Sequence, residues 1–154
     1  MHHFPLSSLD DSSLTLPILK SHLQAFSQHQ KLRFLHQAPI TALIQERVTY
    51  FDNLLQRLWH HYQLDTISGL ALIAVGGYGR AELHPLSDLD ILLLSETPLS
   101  PKQEAPISRF ITALWDLHLF VGHSVRTLSS CFQIAQQDVT IATNLLEARF
   151  CKVS

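Results

Sequence analysis

The chain has 154 residues, 46% of them hydrophobic and only 16% charged, and 11 basic against 13 acidic residues leave a formal net charge of −2. That composition excludes a disordered acidic or basic chain, which lacks the apolar area to offset ordering entropy. The near-neutral balance argues against a nucleic-acid binder that works by bulk charge, and the length predicts one domain, or one domain plus an appendage.

Residues 1–15 are rich in Ser and Asp and read as a loose arm. Residues 16–37 read as a helix with Pro17 in its first turn, where the missing N–H costs nothing. The clearest helix is 41–63, with Thr41 expected as its cap. Ile44, Val48, Phe51, Leu55, Leu58 and Tyr62 fall on one face of it, while Asp52 and Gln56 fall elsewhere. The apolar run 69–75 predicts a strand buried on both faces. Residues 76–87 are rich in turn residues and read as a connection, and 88–94 as a second strand. The segment 97–106, punctuated by prolines, reads as a loop. Helical spacing then runs from about Lys102 to Leu119, followed by a third strand over 122–128. Ser129 or Ser130 is expected to cap a short helix, and a last helix runs from Asp138, its cap, to Phe150. The chain would then stop just after a helix, in the manner of a fragment of something larger.

The pattern predicts an α/β (α+β) fold, a small mixed sheet flanked by helices. The boundary is placed at residue 40, with 1–40 as an arm and helical extension and 41–154 as the domain. Cys131 and Cys151 form no CxxC pair and are expected to be buried thiols in a reducing cytosol. Ten scattered histidines show no metal-ligand spacing. No basic segment leads into an apolar run at the start, and no apolar run approaches the ~20 residues of a membrane helix, so a soluble cytoplasmic protein is expected.

One segment carries chemistry: Val75-Gly76-Gly77-Tyr78-Gly79-Arg80 followed by Ser87-Asp88-Leu89-Asp90. On a strand, residues two apart share a face, so Asp88 and Asp90 put two carboxylates side by side. Two like charges that close repel unless something positive lies between them. A hard divalent cation such as Mg²⁺ takes oxygen ligands and completes its shell with substrate phosphates. The glycines let the backbone approach a ligand and aim amides at it, which suits phosphate. Arg80 adds a charged fork for phosphate oxygens, and Ser87 a hydroxyl beside the acids. Each half is weak alone; in order, with ten residues between Gly77 and Asp88, they reinforce each other. No P-loop, dinucleotide fingerprint, nucleophile elbow or His-Glu-x-x-His site is present.

The Gly-Gly, spacer, Asp-x-Asp arrangement resembles the polymerase-beta-like nucleotidyltransferase superfamily. Glu82-Leu-His-Pro85, Leu114-Trp-Asp116, Val121-Gly-His-Ser-Val-Arg-Thr127 and Ala142-Thr-Asn-Leu-Leu-Glu-Ala-Arg149 narrow the resemblance. They look like the N-terminal domain of the bacterial PII uridylyltransferase/uridylyl-removing family, over roughly residues 41–150. The resemblance implies a polymerase-beta-like fold and transfer of UMP from UTP to a tyrosine of PII signal proteins with Mg²⁺ or Mn²⁺. It implies Gly76 and Gly77 as triphosphate ligands and Asp88 and Asp90 as metal ligands. The superfamily commonly adds a third acid on a later strand, and the strand expected here, 122–127, carries none. Glu82 and Asp116 are candidates, His123 and Arg126 are further residues that could face the site, and the third ligand stays open. Two alternatives accompany this reading: a non-catalytic nucleotide- or partner-binding module, and an adenylyl- or aminoglycoside-type transferase on the same scaffold.

Overall fold

The structure is a computed structural model and describes Leu6, Leu9 and residues 14–85 and 87–153. Most of the expected arm, and Leu86 and Ser154, lie outside the described residues. Two long helices come first, α1 (Leu16–Leu35) and α2 (Ile40–His61). Pro17 does stand in the first turn of α1. Thr41 does not cap α2: Pro39, extended at ψ 134°, occupies the cap position, and the helix is already under way at Ile40. The apolar stripe on α2 is real but wider than one residue per turn, because Leu43, Tyr50, Leu54 and Trp59 are buried beside Val48, Phe51, Leu55 and Leu58.

The rest alternates. Strand β1 (Leu70–Ala74) runs into a single helical turn, α3 (Gly76–Gly79), and β2 (Leu89–Ser95) follows. Then come α4 (Pro101–Asp116), β3 (Val121–Thr127), α5 (Leu128–Gln137), α6 (Val139–Leu146) and β4 (Arg149–Val153). The four strands lie in the order β3-β2-β1-β4, with β2 and β3 parallel and the other pairs antiparallel. This is the expected α+β class, a small mixed sheet flanked by helices.

Four local expectations are corrected. The glycine segment is a helical turn, because Gly79 and Arg80 donate back to the carbonyls of Val75 and Gly76. The proline-bearing loop is mostly helix: Pro101 suits the first turn, the Ser100 amide donates to Gln103 Oε1 at 3.0 Å, and Pro106 lies inside α4. Thr127, not Ser129 or Ser130, caps α5 by accepting from the Ser130 amide. The last helix does not reach Phe150. Asp138 caps α6 as expected, but α6 ends at Leu146 and the chain returns as β4, paired to β1.

The sheet is covered on both faces. Leu89, Ile91 and Leu93 of β2 and Leu70 and Leu72 of β1 join α2 and α4 in the main core, where Trp59 meets Phe110 edge-on. Burying such side chains stabilises by roughly 1.5–3 kcal/mol each. The opposite face carries a smaller cluster of Ile73 and Leu92 under Cys131 of α5, with Leu145 of α6 packed against it. Helix α1 lays Leu19 and Phe26 into the main core, and the Phe26 ring stacks on Tyr50 at 3.8 Å. Both cysteines are free and buried, as expected. Among the described residues no helix is long and apolar enough to cross a membrane.

Candidate functional site

Asp88 and Asp90 stand where β2 begins. Leu89 and Ile91 point into the main core, so Asp90 points to the other face, toward the side that α5 and α6 cover further along. Its neighbour across the parallel pair is Gly122 of β3. A Cβ on Gly122 would stand 2.5 Å from Asp90 Oδ1. A Cβ on Gly76 would stand 3.0 Å from Asp90 Oδ2, and Gly76 has φ +60°, the left-handed region that favours glycine. The two glycines therefore leave the space that the Asp90 carboxylate fills, one from the turn after β1 and one from the edge strand. A backbone bond locks the corner, from the Val75 amide to the Asp90 carbonyl at 2.9 Å.

The electrostatics of this corner are unbalanced. Asp88 is exposed and Asp90 half-buried, and neither forms an ion pair among the described residues. Burial first, and then the charge of Asp88, raise the Asp90 carboxyl above its ordinary range. Two close oxygen donors without a counter-charge are the donor set a hard divalent cation takes. The residues present fit such an ion. Among the described residues no group of three or more His, Cys, Asp and Glu side chains gathers around one point.

Glu82 pairs with Arg80 rather than turning to the acids. Asp116, at the end of α4, acts on Tyr62 at the end of α2. Strand β3 sends Gly122, Ser124 and Arg126 to the Asp90 face, with Arg126 opposite Leu94 and so four residues further along the strand. His123 points to the other face, against the Trp115 ring.

The remaining candidate residues lie in the turn and in the segment that follows it. Gly79 is the first amide of α3 to bond back, to the Val75 carbonyl at 3.0 Å, so the amides of Gly76 and Gly77 lead the turn ahead of it. Ser87 is half-buried and next to Asp88, its amide donating to the His84 carbonyl. Arg80, an exposed side chain, donates to Glu82 Oε2 at 3.2 Å and to Glu147 Oε2 at 2.6 Å. Its fork is held by carboxylates in this structure.

Behind the turn lies a network that local sequence reasoning missed. The buried Tyr78 donates its hydroxyl to Asp52 Oδ1 at 2.5 Å. Arg149 grips both oxygens of the same carboxylate, at 2.7 and 3.1 Å, and donates to the Tyr78 carbonyl at 3.2 Å. The Arg149 guanidinium also lies over the Tyr78 ring, 5.1 Å from its centroid. Helix α2, the turn α3 and strand β4 are thus tied at one point. Arg149 and Gly122 sat in segments that carried the resemblance without a role of their own. Asp52 gave no signal, as a lone acid off the apolar stripe reads as solvated.

No family model matches the chain. Sequence relatives do. The bifunctional uridylyltransferase/uridylyl-removing enzyme of Photobacterium profundum is 50% identical over 142 residues, which is 92% of this chain and 16% of that protein. The enzyme of the same name from Vibrio campbellii is 52% identical over 139 residues, 90% of this chain and 16% of the relative. That of Vibrio cholerae is 48% identical over 142 residues, 92% and 16% respectively. The chain thus spans about one-sixth of the length of the curated relatives it matches. The resemblance expected from its motifs is borne out: over nine-tenths of its length this chain is a homologue of the bifunctional uridylyltransferase/uridylyl-removing enzymes.

Proposed function

We propose that this chain carries the nucleotidyl-transfer site of a PII uridylyltransferase, moving UMP from UTP to a tyrosine hydroxyl of a PII signal protein. The observation that carries the reading is the Asp90 carboxylate seated between Gly76 and Gly122, beside Asp88 and against a turn whose leading amides are those of Gly76 and Gly77. The relatives' uridylyltransferase name supports the choice of nucleotide.

In this reading Asp88 and Asp90 hold Mg²⁺ or Mn²⁺. Bound there, the ion would supply charge neutralisation to the triphosphate. Gly76 and Gly77 bind phosphate oxygens through the backbone, and Ser87 adds a hydroxyl at the edge of the acids. Arg80 reaches the phosphates only by exchanging Glu82 or Glu147 for them, a trade between like partners. The tyrosine oxygen bonds to the α-phosphorus, the bond to the β-phosphate breaks, the hydroxyl proton is released and pyrophosphate leaves. The polymerase-beta-like scaffold, a cytoplasmic location and the division at residue 40 belong to the same proposal.

The test is calorimetric titration of UTP with and without Mg²⁺, on the wild-type chain and on the folded Asp88→Asn/Asp90→Asn variant. Mg²⁺-dependent binding that disappears in the variant is expected, followed by labelled UMP transfer to PII. Preference for ATP over UTP would move the assignment to an adenylyl-type transferase. A second reading is favoured by one observation: the Asp90 face of β3 offers Gly122, Ser124 and Arg126 and no carboxylate. Nucleotide binding without single-turnover transfer would make the chain a nucleotide-binding module.

A further inference from the structure

The C-terminal half of α1 and the N-terminal half of α2, together with the 83–85 segment, line a cavity of about 340 Å³. Its walls include Phe34, Leu43, Ile44 and Leu83, and two cations line it, Lys31 and Arg47. The volume falls at the lower end of small-molecule sites, roughly 300–1,000 Å³.

Arg47 is the informative residue. Among the other half-buried arginines, Arg33 pairs with Glu46 and Arg149 with Asp52, while Arg57 donates to the carbonyls of Leu6 and Leu9. Arg47 has no carboxylate among the described residues. Its Nη2 donates to the Pro85 carbonyl at 3.1 Å, and its guanidinium lies over the Phe51 ring, 4.8 Å from the centroid. Its Nε, like that of Arg149, is shut off from solvent and meets no acceptor, but Arg149 has Asp52 on its other nitrogens. Burial pulls this arginine below its ordinary range, the mark of a cation short of compensation. The amide of Gln30, also on the wall, is committed to the Leu43 carbonyl at 2.8 Å. The charged groups on the wall are therefore both cations, set with the Ser27 hydroxyl in a largely apolar frame.

We propose that the cavity between α1, α2 and the 83–85 segment is a binding site for a small organic carboxylate with a flat apolar body. The carboxylate is taken by Lys31 and Arg47, and the body lies against Phe34, Leu43, Ile44 and Leu83. A carboxylate there supplies the counter-charge that Arg47 lacks. The site is wired to the acids through the chain: Arg47 holds Pro85, three residues before Asp88. Occupancy is thus read in the backbone of the segment that leads into β2. This inference does not depend on the transferase reading.

The probe is 2-naphthoate, with the uncharged 2-naphthamide as its comparison, titrated into ¹⁵N-labelled protein and followed by amide shifts. The expected result is naphthoate binding at least about tenfold tighter than naphthamide, with shifts at Lys31, Ile44, Leu83 and Ser87. Lys31 is exposed, so Lys31→Gln leaves the fold intact and is expected to weaken naphthoate severalfold while leaving naphthamide unchanged. Arg47→Gln is expected to remove the preference altogether, and a preserved spectrum shows that it folds. Equal affinities for the two probes, shifts confined elsewhere, no binding of naphthoate, or indifference to Lys31→Gln would each overturn the proposal.

Discussion

The Gly76–Gly79 turn separates two regions that treat charge in opposite ways. Behind it, Asp52 is satisfied three times over, by both arms of Arg149 and by the Tyr78 hydroxyl, and the Tyr78 carbonyl is satisfied in turn. In front of it, Asp88 and Asp90 repel each other with no cation among the described residues, and burial adds to the cost of ionising Asp90. A bidentate, partly buried pair fixes geometry, and here it fixes the turn against α2 and β4. An uncompensated carboxylate pair instead stores a demand that a ligand can meet. The difference teaches where to look for function: the rigid side fixes geometry, and the uncompensated side is where the proposed ligand would bind.

The comparison breaks most sharply at Arg149. Arg149→Met removes both bonds to Asp52 and leaves a half-buried carboxylate facing Tyr78 alone. Breaking one partner of such a pair costs about 3 kcal/mol, the low end of the buried range because both side chains keep some solvent contact. A fall in Tm of roughly 6–12 °C follows for a chain of this size, read by thermal denaturation. Tyr78→Phe is milder, since Arg149 still holds Asp52; the lost bond to a charged acceptor is worth about 2 kcal/mol. If both variants melt with the wild type, the network does not hold the turn.

Gly122→Ala sharpens the other side. Gly122 has no unusual backbone angle, so alanine fits the strand, yet its Cβ would stand 2.5 Å from Asp90 Oδ1. The carboxylate must swing away, and overpacking at this edge is expected to cost about 1 kcal/mol. Mg²⁺-dependent UTP binding is expected to fall about tenfold or more, out of proportion to the loss of stability. Calorimetry beside a melting curve checks it, and unaltered binding would remove Gly122 from the site.

How far the sequence speaks is uneven for physical reasons. The α2 stripe and the two apolar strands were legible because burial writes a period into local sequence, and the Asp90–Gly122 corner was half legible because Asp88 and Asp90 are close in the chain. The other half arrives from β3 through a parallel pairing, and Gly122 looked like the start of any strand. Strand β4 was hidden because Ala142, Leu145, Leu146 and Arg149 keep helical spacing and no Gly or Pro marks the end of α6. What makes 149–153 a strand is its partner β1, some 75 residues earlier, with Arg149 opposite Ala74. The Asp52–Arg149 pair spans 97 positions and has no local trace at all.

The smallest expected effect is also the most telling. In the absence of divalent cations, Asp90→Asn removes a carboxyl whose ionisation is opposed by burial and by Asp88. A carboxyl raised above its unfolded value costs stability while it is ionised, at pH above its folded pKa. That cost fades as the pH falls through that pKa and the group takes up its proton. The variant should therefore melt slightly higher than the wild type near neutral pH, within about 0.5 kcal/mol, and the two curves should converge on acidification. Adding Mg²⁺ and UTP should reverse the order, because only the wild type then gains a ligand. A variant less stable than the wild type in chelator at neutral pH would mean that Asp90 is a structural residue satisfied by its surroundings, and the contrast between the two sides of the turn would fail.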